Sequence, residues 1–238
     1  RQRQMCIRDR SNAGLKLDDL KVSGTAIFGL DGELNPRIII TVLDDNLILI
    51  DTENPGVTIS EIPTIDSTRP VVEVVCEGVD FEIIPGGKDA IKKTIGVGRV
   101  LLAADILGAS LNMISNAVEY SLERKQFNRV IGSFQAVKHM CAEMAADIEP
   151  CKSLLWYAAY AQDHIKEEAD LLSCHVKAHL SEVGHDTARV STQVFGGMGF
   201  TDLLGMHYWF KRIGLSRQML GGPEKVRQEA AILQGFLS

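Results

Sequence analysis

The chain has 238 residues, of which 45% are apolar and 24% charged, and its formal net charge is −6. That mixture suits one or two globular domains with a sizeable core. The acidic balance, with no dense Lys/Arg run, excludes a surface built to neutralise nucleic-acid phosphates, and no run approaching 18 consecutive apolar residues offers a membrane span.

In chain order, Arg1 to Arg10 carry four arginines and little periodicity. They read as a non-native leader of 1–10, and no apolar segment follows that would make them a secretory signal. From about Leu15 to Pro85 the pattern is strand-like, within a partial β domain of 11–88. Ile38-Ile-Ile-Thr-Val42 and Leu47-Ile-Leu-Ile50 are β-rich runs separated by a hairpin turn at Asp44-Asp-Asn46. Asn54-Pro-Gly56 signals a turn, and Val57-Thr-Ile59 and Val71-Val-Glu-Val-Val75 predict further strands. The expectation is a small antiparallel β domain of five to six strands.

After Gly86-Gly87 the period changes, opening a helical domain over 89–238. Val97, Leu101, Ala104, Leu107, Leu111, Ile114 and Val118 predict one long amphipathic helix ending near Arg124. A second runs from about Phe134 to Ile165, with a kink expected at Pro150 because its ring clashes with the preceding turn. Lys166 to Asp170 read as a charged turn, and a third helix runs from about Leu171 to Phe195, stopping at Gly196-Gly-Met-Gly199. A shorter pair covers about Met206 to Arg217 and Pro223 to Phe236. Long helices with short links predict an up-down four-helix bundle, so the fold class is α+β, a β-barrel-like antiparallel domain followed by an all-α bundle. The five cysteines, at positions 6, 76, 141, 151 and 174, form no CxxC pair and read as reduced thiols in a cytosol-like compartment.

Four groups of residues could carry chemistry. Arg124-Lys-Gln-Phe127 follows a helix end, where a guanidinium can hold a pyrophosphate in a bidentate fork; composition alone favours an ordinary solvated helix end, where the dipole welcomes arginine. Gln193-Val-Phe-Gly-Gly-Met-Gly-Phe200 has more glycine than a helix stop needs, and close approach of a ligand to the backbone is the alternative reason. His175, His179, Glu182 and His185 share one helix, but a bundle di-iron site needs a second ExxH helix, so a polar helix face is the better reading and no metal is expected. Ser191, Thr192, Asp186 and Arg189 show no nucleophile elbow, so acyl-enzyme chemistry has no support.

Taken together these segments resemble the acyl-CoA dehydrogenase family. Asn54-Pro-Gly-Val57 and Pro63-Thr-Ile-Asp-Ser-Thr-Arg69 are similar to its "APGV" and "PTxDxTR" segments. Tyr120-Ser-Leu-Glu-Arg-Lys-Gln-Phe127 with Phe134-Gln-Ala-Val137 is similar to its "YxxxRxxFG…xxQA" signature, and Gln193 to Phe200 to "QxxGGxGF". The resemblance spans about Leu15 to Phe236. It implies most of a middle β domain and all of a C-terminal bundle, without the N-terminal helical domain. It implies FAD as cofactor, with Arg124, Phe127 and Gln135 on the pyrophosphate and adenosine part, and Gln193 and Gly197 closing over the FAD of a neighbouring subunit. Arg99 corresponds to an arginine near the acyl thioester.

The departures concern the base. The family abstracts the substrate α-proton with a carboxylate, usually in a "YEGT" segment whose glutamate falls here on Leu220, or one residue before the helix-one arginine, which is Gly98. Both positions lack a titratable group. The glycine usual after Phe127 is Asn128. The resemblance therefore implies α,β-dehydrogenation of an acyl-CoA with the base supplied from elsewhere. The alternative is a non-catalytic subunit that completes the FAD site of a heteromeric dehydrogenase; a scaffold that has lost flavin is the third reading. Expected partners are an acyl-CoA substrate, electron-transfer flavoprotein or an equivalent acceptor, and further subunits docked through the bundle. The expected location is the cytoplasm, or the mitochondrial matrix in a eukaryote.

Overall fold

The computed structural model describes residues 14–18, 20–30 and 37–237, and the leader of 1–10 together with Cys6 lies outside them. The chain divides between Ile95 and Gly96 into two compact units.

Among the described residues the first unit has seven strands, all paired antiparallel, where five to six are expected. β1 (Leu15–Asp18), β2 (Lys21–Leu30), β6 (Val71–Val79) and β5 (Val57–Ile62) form one sheet in that order. β3 (Ile38–Leu43), β4 (Asn46–Asp51) and β7 (Glu82–Ile84) form the other. The additional strands are mixed in polarity, as in Glu82-Ile-Ile84, and become legible only once a neighbour supplies their hydrogen bonds. The β3–β4 hairpin falls where the sequence places it. Asp44 and Asp45 both have positive φ (46° and 61°), the mirror-image turn whose twist matches a two-residue hairpin. Val22, Ile48, Ile50, Val72, Val74, Cys76 and Val79 form the core of this unit.

The second unit is a helical bundle. α1 (Gly87–Glu123) starts directly at the Gly86-Gly87 turn, ten residues before the periodicity announces it. Its first turns carry Lys88, Asp89, Lys92 and Lys93, which leave only a weak apolar repeat at Ile91 and Ile95. By length and composition alone α1 could cross a membrane, and half of its most apolar window is buried within the protein. α2 (Gln135–His164) runs through Pro150 without a break, with the proline on an exposed face. The charged turn expected at Lys166 to Asp170 is instead the first turn and more of α3 (Lys166–Phe195), and Ile165 alone makes the joint. Glu167 and Glu168 sit where the N-terminal end of the dipole favours carboxylates. α4 (Met206–Gln218) and α5 (Pro223–Leu233) form the remaining side.

Contacts fix the up-down order. A Cβ on Gly96 would touch both Gln162, near the end of α2, and Ser173, near the start of α3. Tyr120, near the end of α1, stacks on Phe195 at the end of α3, with centroids 4.3 Å apart and planes 12° from parallel. α1 and α3 therefore run the same way and α2 opposes them. Ile106, Met113, Ile148, Leu155, Val176, Leu180 and Ile213 fill the shared interior.

Candidate functional site

The up-down order carries Arg124, Gln135 and the Gln193–Phe200 segment to one end of the bundle. α1 ends at Glu123, and a miniature hairpin follows: β8 (Lys125–Gln126) and β9 (Arg129–Val130), with Ile131 N–H donating to Arg124 O at 2.7 Å. Its turn residues, Phe127 and Asn128, both have positive φ (52° and 59°). The turn needs the left-handed region twice, and asparagine is among the few non-glycine residues that enter it readily. Asn128 thus keeps the backbone geometry a glycine would have there. Phe127 is 88% exposed and meets Phe134 only edge-on, at 6.1 Å. Arg129, a residue the sequence did not single out, stacks its guanidinium 3.8 Å from the Phe134 ring and braces the hairpin.

Arg124 is exposed, and so is Gln135, whose amide lies 3.4 Å from the His139 ring. At the end of α3 the three glycines divide by cause. Gly196 has φ +60°, and a Cβ on Gly199 would press on Thr192 O at 3.0 Å. Gly197 has neither reason: its φ is ordinary and a Cβ would meet nothing within 4 Å. Beside it Gln193 is exposed. One cation, two amides, an exposed ring and an open glycine backbone make a donor set suited to a dinucleotide's phosphates and adenine, and none of these five groups is needed to fill the core.

The other residues of interest lie toward the start of α1. From Gly98 to Tyr120 is 22 residues of α1, about 33 Å of helix. Here the two candidate base positions meet. A Cβ on Gly98 would come within 2.5 Å of Leu220 Cδ1, so the leucine side chain fills the space over the glycine. Leu220 lies in the α4–α5 link with φ +53°, a conformation costly for a leucine. Arg99 is 7% exposed, and each of its three guanidinium nitrogens has a partner. Nε donates to Leu220 O at 3.0 Å, Nη1 meets Cys174 Sγ at 3.2 Å, and Nη2 pairs with Glu229. Burial pushes the Cys174 thiol up, more than the Arg99 charge lowers it.

Sequence reasoning missed Lys177. It is fully buried and donates to Ser181 Oγ at 3.0 Å, Arg217 O at 3.0 Å and Gly221 O at 3.3 Å. Burial, then the Arg99 and Arg217 charges, push it down to about 7. The signal was present: Ser173, Lys177, Leu180, Gly184, Thr187 and Ser191 follow the 3.6-residue stripe of buried α3 positions, so a lysine on that stripe faces the core.

Among the remaining candidates, several side chains have structural partners. Glu182 is gripped by Arg227, which holds its carboxyl below the usual range, and His185 lies against Phe210, centroids 6.0 Å apart. No group of three or more metal-ligating side chains gathers among the described residues. Ser191 donates to Met144 Sδ, Thr192 to Ala188 O, and Asp186 pairs with Arg189.

Residues 86–235 match the family model "Acyl-CoA dehydrogenase, C-terminal domain". The caffeyl-CoA reductase–Etf complex subunit CarC of Acetobacterium woodii is 33% identical over 137 residues, which is 58% of this chain and 36% of that protein. The ChsE4–ChsE5 complex of Mycobacterium tuberculosis superposes with a TM-score of 0.83 at 20% identity, over 98% of this chain and 66% of the matched one. A structure of PigA with FAD and proline superposes with a TM-score of 0.83 at 21% identity, over 94% and 63%. The chain thus spans less than two thirds of the proteins it resembles.

Proposed function

The chain belongs to the acyl-CoA dehydrogenase family, and on that premise we propose that its helical unit grips FAD within an acyl-CoA dehydrogenase assembly while leaving α-proton abstraction to another residue or subunit. The observation that carries this reading is the contrast between the two ends of the bundle. One end keeps its exposed cation, amides and open glycine. At the other, both base positions are closed against each other by an apolar side chain.

FAD, held there, would supply the hydride acceptor for α,β-dehydrogenation. Arg124 would neutralise pyrophosphate charge, Gln135 and Gln193 would hydrogen-bond the adenosine side, Phe127 would lie against a ring, and the Gly197 backbone would admit close approach. The roughly 33 Å of helix between this end and Gly98 supports a division in which the two ends serve different flavins, one of them in a neighbouring subunit. Leu220 and Gly98 can neither take nor give a proton. Arg99, with its three nitrogens on Leu220 O, Cys174 and Glu229, steadies the link rather than reaching outward.

The heteromeric reading draws on the same leucine, and on CarC and ChsE4–ChsE5, whose names describe complexes with other chains. The partners it implies are a dehydrogenase subunit that keeps its carboxylate, an acyl-CoA, and electron-transfer flavoprotein or an equivalent acceptor. A cytosol-like or matrix compartment fits free Cys76, Cys141, Cys151 and Cys174.

The test is purification of the full-length protein alone and co-expressed with a carboxylate-bearing family member. Flavin absorbance and acyl-CoA-dependent bleaching are expected only in the co-expressed complex. Arg124→Ala should weaken FAD binding about 10- to 100-fold. Absence of flavin from both preparations refutes the reading.

A further inference from the structure

Leu220, in the α4–α5 link, is held at φ +53°, a left-handed conformation costly for a leucine, and such strain persists only where neighbouring contacts retain it. Two buried cations hold the carbonyls of this segment. Arg99, from α1, takes Leu220 O, while Lys177, from α3, takes Arg217 O and Gly221 O on either side of it. We infer that Lys177 is a positioning residue for the α4–α5 link: with Arg99 it fixes the left-handed turn at Leu220 and so aims whatever side chain stands at position 220 onto Gly98.

Ser181 extends the device. Its hydroxyl has Lys177 Nζ as its hydrogen-bond partner among the described residues, one helical turn away at 3.0 Å. An ammonium donates to all three oxygens. A neutral amine has two donors and a lone pair; it can keep both carbonyls while the Ser181 O–H reverses and donates to Nζ. The charged groups around this nitrogen are Arg99 on α1 with its partner Glu229 on α5, and Arg217 on α4 with its partner Glu224 on α5. Cys174 lies one turn before it on α3 and touches Arg99. Full burial and then the positive neighbours push this group down to about 7, so both forms occur around neutrality; either form can keep the two carbonyls, and Ser181 serves the third N–H of the ammonium or the lone pair of the amine.

The significance of position 220 rests on the dehydrogenase reading, whereas the clamp is measured on the full-length chain with no flavin or acyl-CoA; the two fail separately. Amide hydrogen exchange is followed at Met219 and Val226, whose N–H groups bond Leu215 O and Gly222 O at either end of the link, with Ile165 at the α2–α3 joint as control. Lys177→Met is expected to speed exchange at Met219 and Val226 about tenfold or more with Ile165 unchanged. Ser181→Ala, a milder change should Lys177→Met not fold, leaves one N–H of the ammonium without an acceptor, so it is expected to loosen the link several-fold at pH 6 and less at pH 8.5, where the amine's two N–H groups still serve the two carbonyls, relative to Ile165. Unchanged exchange at the link in a folded Lys177→Met, or a Ser181→Ala link that tracks the parent at both pH values, overturns the proposal.

Discussion

At the scale of single residues, the decisive pair is Gly98 and Leu220. Their fit is steric, so it should behave as a coupled pair. Gly98→Ala forces Leu220 Cδ1 to move from 2.5 Å, and is expected to cost about 1–3 kcal/mol by overpacking. Gly98→Ala combined with Leu220→Ala should recover most of that, with a coupling of roughly 0.5–3 kcal/mol in a denaturation cycle. Chemically, Leu220→Glu places a carboxylate where the family keeps its base. Acyl-CoA oxidation by flavin-loaded protein should then rise by about 10²–10⁴-fold. An unchanged rate with flavin bound means the substrate does not reach position 220. Asn128 carries the opposite lesson. Its φ of 59° lets it replace a glycine without altering the turn, so Asn128→Gly should leave the melting temperature level or slightly raised.

At the scale of elements, α2 and the Tyr120–Phe195 stack stand out. Pro150 removes one helical hydrogen bond from the interior of α2 on an exposed face. Pro150→Ala should stabilise the helical unit by up to about 3 kcal/mol, less the entropy that proline removes from the unfolded chain, as read by urea denaturation. The stack joins the ends of α1 and α3 and so holds the Arg124 hairpin near the Gln193 loop. Tyr120→Ala should cost about 3–5 kcal/mol and lower FAD affinity without touching any side chain proposed to contact FAD. The pairing was not legible in sequence, because two aromatics 75 positions apart give no sign of meeting. The boundaries of α1 and α3 were partly legible: an apolar repeat marks where a helix packs, not where its hydrogen bonding begins.

At the scale of the whole molecule, the buried lysine makes stability depend on pH. Its folded value of about 7 lies below the ordinary 10.5, so between those values the unfolded chain binds the extra proton. Stability therefore rises with pH through this window and falls again as pH drops toward 7, by up to about 1 kcal/mol per unit. Urea midpoints measured between pH 7 and 9 should show this rise in the parent and a flat profile in Lys177→Met. The window stops short of 9 because burial also raises Cys76, Cys151 and Cys174. A thiol that stays protonated only when folded withdraws stability above its ordinary value.

By itself the sequence determined the change from strand to helix at Gly86-Gly87, the β3–β4 hairpin and the helical bundle, because periodicity and turn chemistry act over a few neighbours; its motifs also proposed Arg124, Gln135, Gln193 and Gly197 as cofactor contacts. It also showed that Leu220 and Gly98 carry no base. Only the tertiary structure decided that these two positions touch, that Arg99 spends its guanidinium on the link between α4 and α5, and that Lys177 lies buried beneath it. Those facts depend on residues 40 or more positions apart being brought together by packing, and packing is a property of the whole core rather than of any local run.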